Sequence, residues 1–144
     1  MIQRFPPLRT QLSPSATALS RIRSVDYTVV FARDLPSMRR FYQDVMHFPV
    51  ERELGSEWTE YRIGANILVL ARPHIAKDDA PTPKGSASLQ LAFRVAPPDV
   101  SRCEEELKAA GVAIVSPATD QPWGHRTLFF RDPDGNILEI YADI

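Results

Sequence analysis

The chain has 144 residues, of which 44% are hydrophobic and 24% charged, and its formal net charge is −1. These values are typical of one globular domain, and the near-zero charge disfavours nucleic acid or an anionic membrane as its main partner. No apolar run approaches the ~20 residues of a membrane-spanning helix. The single cysteine, Cys103, excludes an intrachain disulfide and a cysteine-based zinc site, and it fits a reducing, cytoplasmic location.

The first 24 residues differ from the rest, because they carry four arginines and no acidic residue. Such a composition is also found in organellar transit peptides. Three prolines, however, interrupt any amphipathic helix in this segment. We therefore expect residues 1–24 to form an extended arm outside the fold, and residues 25–144 to form a single domain.

The first half of that domain begins with a β-branched and aromatic strand, VDYTVVFA. Apolar residues at helical spacing follow in RDLPSMRRFYQDVMHF, where Asp34 is a suitable N-cap and His47, at the helix end, tolerates a positive φ. Three further strands are indicated by FPVERE, EWTEYRI and NILVLAR. Residues 25–73 therefore predict a βαβββ module.

The second half repeats the first after a proline-containing polar linker, residues 74–86. Its strands are SLQLAFRV, VAIVS, HRTLFFR and NILEIY, and its helix is PPDVSRCEEELKAAG. The tripeptide NIL occurs in the last strand of each half, which aligns Val69 with Glu139 and Tyr27 with Gln90. Residues 87–144 therefore form a second βαβββ module, and the fold class is α+β.

Alternation along the strands separates an apolar face, expected beneath the helices, from a face of aromatic, amide and charged residues. If the two mixed sheets curl together, the second face becomes the wall of a cleft, as in many small-molecule sites. The alternative is a hydrogen-bonded polar core between the sheets. The candidate ligand-binding residues are Tyr27, Tyr61, Val69, Gln90, Arg94, Trp123, His125, Phe129 and Glu139. Trp58 falls on the opposite register and is expected to pack or to form an interface.

Two strings carry a family resemblance. The first is RDLPSMRRFYQDVMHF, with Asp34, Ser37 and Phe41-Tyr42, and the second is PWGHRTLFFRDPDGNILEIY. Together with the paired βαβββ modules, they resemble the vicinal oxygen chelate superfamily, which includes glyoxalase I, extradiol dioxygenases and bleomycin-resistance proteins. The resemblance implies a glyoxalase/bleomycin-resistance-like fold with a cleft, and commonly a homodimer.

The resemblance also implies a metal site with four ligand positions, which in this chain are Tyr27, Val69, Gln90 and Glu139. Valine has no donor atom, and tyrosine is a poor ligand unless it is ionised. Gln90 and Glu139 remain as metal ligands, and two oxygen donors make a weak site for a transition metal. His125 lies on the same face and is a possible third ligand. We expect no cofactor, and the alternative is a divalent metal (Zn, Ni, Fe or Mn).

Two functions follow from these residues. The first is a small-molecule-binding protein with a degenerate metal site, similar to bleomycin-resistance proteins. The second is a metal-dependent lyase, isomerase or dioxygenase resembling glyoxalase I, with Glu139 as the catalytic candidate. A purely structural or regulatory protein is a third, weaker alternative. Because Glu139 lies in an apolar strand, it needs a partner, and the candidates are Arg94, Arg126, His125, Tyr27 and Gln90. It is then either a ligand contact, an acid–base group or a structural remnant.

Overall fold

A computed structural model describes residues 17–83 and 85–144. Most of the expected arm, residues 1–24, lies outside the described residues. After a 3₁₀ turn, the elements are β1 (Tyr27–Phe31), α1 (Leu35–Arg40), a π-helical turn (Phe41–Val45), β2 (Val50–Glu53), β3 (Trp58–Ile63), β4 (Asn66–Ala71), β5 (Gln90–Arg94), α2 (Pro97–Ala109), β6 (Ile114–Asp120), β7 (His125–Arg131) and β8 (Ile137–Asp143). None of the helices in this part of the chain has the length and apolar character needed to cross a membrane.

The strands form two four-stranded mixed sheets with the same topology. The strand orders are β1-β4-β3-β2 in the first sheet and β5-β8-β7-β6 in the second. The parallel pairs are β1 with β4 and β5 with β8. The repeat extends to the register, since Tyr27 is opposite Ile67 and Gln90 is opposite Ile137. The expected α+β fold of two βαβββ repeats is confirmed, while the exact residue ranges of arm, modules and linker stay a prediction.

Local sequence explains where the first helix begins and ends. The Asp34 carboxylate accepts a hydrogen bond from the Ser37 amide at 3.4 Å, which caps the helix N-terminus. Near the other end, the Met46 amide donates to the Phe41 carbonyl at 3.0 Å, an i to i+5 bond that makes the last turn π-helical. His47 then takes a positive φ of 56° and ends the helix, as the sequence predicts.

The two sheets share one hydrophobic core, which lies on their helix-covered faces. Phe41, in the π-helical turn, contacts Phe130 of the second sheet with ring centroids 6.3 Å apart, and Phe48 contacts Phe93 at 5.3 Å. The opposite face of each sheet, which we call its open face, therefore points away from this core. The open faces do not close over each other within one chain, and on the first sheet Tyr27 and Phe31 are 56% and 53% exposed.

A hydrogen-bonded turn between β7 and β8 joins the second module to the first. The Tyr42 hydroxyl donates to the Asp132 carboxylate at 2.8 Å, and this pair is buried. Asp134 accepts from the backbone amides of Arg33 at 2.6 Å and Asp34 at 3.4 Å, immediately before α1. The DPDGN string therefore forms an intramolecular clamp on the start of α1.

Candidate functional site

On the open face of the second sheet, the structure brings together Gln90 and Glu139. Glu139 lies on β8 between Ala92 of β5 and Phe129 of β7, and its side chain is half-buried. The Gln90 amide nitrogen donates to Glu139 Oε1 at 3.1 Å. The partner of this carboxylate is therefore a neutral amide rather than an arginine, and the half-buried Phe129 flanks it on the adjacent strand.

A second polar cluster lies further along the same face. The Arg94 Nε donates to the Tyr141 hydroxyl at 3.2 Å, and the guanidinium lies 5.5 Å from the centre of that ring. The two carboxylate oxygens of Asp143 lie 3.1 Å from Arg94 Nη2 and 3.2 Å from His125 Nε2. The His125 ring also contacts the Tyr141 ring, with centroids 4.8 Å apart. Arg94 and His125 therefore belong to one network centred on Tyr141 and Asp143.

This network is separate from the Gln90–Glu139 pair. His125 is four residues from Phe129, the residue opposite Glu139, which corresponds to about 13 Å along a strand. His125 is also engaged with Asp143, so the structure does not bring it to the Gln90–Glu139 pair, and its role as a third metal ligand stays a prediction.

On the first sheet, the predicted face of β3 is wrong. Trp58 pairs with Ala71 and Glu60 with Val69, which places Trp58 and Glu60 on the open face. Tyr61 is fully buried on the helix-covered face instead, where its ring contacts Tyr42 and its hydroxyl accepts from the Gln43 amide at 3.0 Å. A register shift of one residue moves every side chain of a strand to the other face, so Tyr61 is not a ligand-binding residue of this surface.

Glu60 is the carboxylate that sequence reasoning missed. It is only 9% exposed, and its Oε2 accepts hydrogen bonds from the Trp58 indole nitrogen at 2.7 Å and from Arg52 Nη2 at 2.8 Å. The hydrogen bonds from Arg52 and then from Trp58 hold the pKa of Glu60 below its ordinary value. A Trp-x-Glu spacing in a strand places both side chains on one face, and this was the available signal.

The Trp58 indole covers the position aligned with Glu139. Its ring meets the Tyr27 ring edge to face, with centroids 6.1 Å apart and an interplanar angle of 79°. Trp58 starts opposite Ala71 and Tyr27 lies opposite Ile67, so the indole spans the intervening position, Val69. Val69 is fully buried, and it therefore offers a ligand neither a donor atom nor surface.

A cavity of about 500 Å³ opens beside this aromatic pair. It lies over β1 and the start of β3, and the chain after β4 closes one side. Among the described lining residues, Glu57 and Arg72 are the acidic and basic side chains, and they form an ion pair at 3.3 Å. The lining residues are Tyr27, Val29, Phe31, Leu54, Glu57, Trp58, Arg72, Pro73, His74 and Ile75.

The residues present do not fit a divalent metal of the kind the fold suggests. Of the four ligand positions, Val69 is fully buried and has no donor atom, Tyr27 packs its ring against Trp58, and Gln90 and Glu139 alone offer amide or carboxylate oxygens. Within residues 17–83 and 85–144, no three His, Cys, Asp or Glu side chains are grouped so that they could hold a metal ion. The candidate ligand-binding residue Trp123 is 64% exposed between β6 and β7, and it does not line the cavity.

Comparison with known proteins supports the same fold. The family described as the Glyoxalase/Bleomycin resistance protein/Dioxygenase superfamily matches residues 24–140. The uncharacterized protein YraH of Bacillus subtilis (strain 168) is 27% identical over 118 residues, which cover 78% of this chain and 92% of YraH.

Two solved structures are also similar to this chain. A glyoxalase/bleomycin resistance protein/dioxygenase from Nocardioides matches with a TM-score of 0.72 and 20% identity, covering 85% of each chain. A glyoxalase-related enzyme from Fulvimarina pelagi matches with a TM-score of 0.71 and 25% identity, covering 85% of this chain and 89% of that one. The protein belongs to the glyoxalase/bleomycin resistance protein/dioxygenase superfamily.

Proposed function

We propose that the protein binds a small organic molecule on the open faces of its sheets and does so without a bound metal, in the manner of a bleomycin-resistance protein. One observation supports this proposal: the Tyr27 and Trp58 rings meet beside a cavity, and Val69, at the position where a metal site would require a donor, is fully buried. Small-molecule sites are typically apolar with a few polar groups, and cavities of about 300–1,000 Å³ are usual.

Metal analysis of the purified protein tests this proposal directly. After exposure to Zn, Ni, Fe or Mn and removal of free ions, we expect well below one metal ion per chain, because only Gln90 and Glu139 offer suitable oxygens. Thermal unfolding is expected to be unchanged by the added ions. A stoichiometric metal that disappears in Glu139→Ala but persists in the exposed control Glu105→Ala would refute the metal-free proposal.

We further propose that the site is completed in a homodimer. The open face of the first sheet exposes Tyr27 and Phe31, and large exposed apolar patches commonly mark interfaces or ligand sites. Because the two open faces of one chain point away from its core, a second copy is needed to place a β5–β8 sheet opposite a β1–β4 sheet. Analytical ultracentrifugation should show a dimer, and Phe31→Asp should shift it to monomer. A wild-type protein that stays monomeric at high concentration would contradict this proposal.

The second candidate is a metal-dependent lyase, isomerase or dioxygenase resembling glyoxalase I, with Glu139 as the catalytic residue. The intact Gln90–Glu139 pair favours it, as does similarity to a structure described as a glyoxalase-related enzyme. The same metal analysis separates the two candidates. A metal that binds stoichiometrically and is needed for turnover supports the enzyme, whereas ligand binding by metal-free protein supports the binding function.

A further inference from the structure

We propose that the cavity over β1 and β3 selects an uncharged, flat aromatic molecule, and that Glu60 is a positioning residue that holds Trp58 as one wall of this cavity. The inference rests on the proposed small-molecule function and names the class of ligand. None of the described lining residues is Gln90 or Glu139, so the inference can be tested separately from metal binding.

The aromatic side chains indicate a ring-shaped ligand. Tyr27 and Trp58 meet at 79°, and Phe31, on the same face of β1, also lines the cavity. Aromatic rings attract one another in edge-to-face and offset stacked geometries. Two rings set at a steep angle therefore offer an incoming ring the face of one and the edge of the other. The volume of about 500 Å³ accommodates a molecule of two or three fused rings.

The charges around the cavity indicate that the ligand is neutral. Arg72 and Glu57 are both in the lining, and their 3.3 Å ion pair leaves no net charge among the described lining residues to select an anion or a cation. The remaining lining is almost entirely apolar, apart from His74 and the Tyr27 hydroxyl. A charged ligand would lose its hydration there without gaining an unpaired counter-charge, which is unfavourable.

The indole is held by a polar contact that lies outside the cavity lining. Glu60 accepts the Trp58 N–H at 2.7 Å, and Arg52 holds the same carboxylate oxygen at 2.8 Å. Neither Glu60 nor Arg52 lines the cavity, so they act on a ligand only through the orientation of the indole. Charge-assisted hydrogen bonds of this length are strong enough to fix a side chain that would otherwise rotate.

Isothermal titration calorimetry at pH 7 with three probes of one ring system tests the ligand class. The probes are 2-naphthol, 2-naphthoate and 2-naphthylmethylammonium, which are neutral, anionic and cationic. We expect 2-naphthol to bind at least about fivefold more tightly than either ion. Its binding should shift the Trp58 indole N–H resonance and leave the side-chain amide of Gln43, which donates to Tyr61 on the helix-covered face, unchanged.

Variants test the wall and its positioning residue. Trp58→Ala should weaken 2-naphthol binding about tenfold, whereas the exposed control Val115→Ala should have no effect. Glu60→Gln should weaken it about threefold and should shift the Trp58 indole resonance in the absence of ligand. In a Trp58→Phe background, which has no indole N–H, Glu60→Gln should cause no further loss. A further loss in that background would refute the positioning role.

The outcomes separate this inference from the proposed function. Tighter binding of an ionic probe, or 2-naphthol binding that leaves the Trp58 indole resonance unchanged, overturns the inference but leaves small-molecule binding in place. If no naphthalene probe binds while a thermal-shift screen finds another ligand, the inference fails and the proposed function stands. If no compound of the screen binds, both fail.

Discussion

The buried hydrogen bond from Tyr42 to Asp132 links the two modules, and Tyr42→Phe removes it without a change of shape. Tyr42 is fully buried, Asp132 is 4% exposed, and their oxygens are 2.8 Å apart. Asp132 keeps two other donors in the variant, because the Asn136 backbone and side-chain nitrogens lie 3.0 and 2.9 Å away. A hydrogen bond to a charged group contributes ~1.5–3 kcal/mol, so the free energy of unfolding should fall by about 2 kcal/mol.

The size of this loss should depend on pH. Burial raises the pKa of Asp132 above its ordinary value, and the bonds from Asn136 and Tyr42 oppose that rise. Removing the Tyr42 bond therefore raises the folded-state pKa further. The variant's loss of unfolding free energy is complete at pH values above the pKa of Asp132 in both folded proteins, wild type and variant. The loss shrinks as the pH falls through these two pKa values, because a protonated Asp132 no longer needs the lost donor.

Urea unfolding followed by circular dichroism, at neutral and at mildly acidic pH, measures both effects. Tyr27→Phe is the matched control, since its hydroxyl is on an exposed side chain, and it should change stability by less than about 0.5 kcal/mol. A Tyr42→Phe deficit no larger than that of the control, or one that grows on acidification, would refute the reasoning.

Three further predictions concern single side chains. Asp134→Ala removes the acceptor for two backbone amides before α1 and should destabilise the protein by about 1–2 kcal/mol in urea unfolding, whereas an unchanged midpoint would show that the clamp is dispensable. Thr59→Val replaces a buried hydroxyl that has no hydrogen-bond partner among the described residues, so it should leave stability unchanged or raise it by up to ~1 kcal/mol, and a clear loss would indicate a bound water. Asp143→Asn removes one charge of an exposed ion pair with Arg94, so it should leave the midpoint of urea unfolding almost unchanged, and a clear loss would show that this pair is structural.

The sequence predicted the fold and part of the site because both depend on local periodicity. The repeated NIL string correctly placed Val69 and Glu139 at equivalent positions, and Gln90 does meet Glu139. The face of β3 could not be predicted in the same way. Both faces of that strand carry aromatic and polar residues, and only the pairing with β4 decides which set is buried. In the core, the Tyr61 hydroxyl accepts a hydrogen bond from Gln43. The two residues are 18 positions apart in the sequence, so strand periodicity does not reveal this contact.

The two modules keep one topology but have diverged in the chemistry of their open faces. In the second module, Glu139 keeps a polar neighbour, Gln90, and a network of charged residues extends beyond it. In the first module, the equivalent position is Val69, and the nearby carboxylate, Glu60, is occupied by Arg52 and the indole. We infer that a second copy would set a polar wall opposite an aromatic one. Such a cleft favours a ligand with an uncharged ring at one end and hydrogen-bonding groups at the other, since each end then meets matching surface.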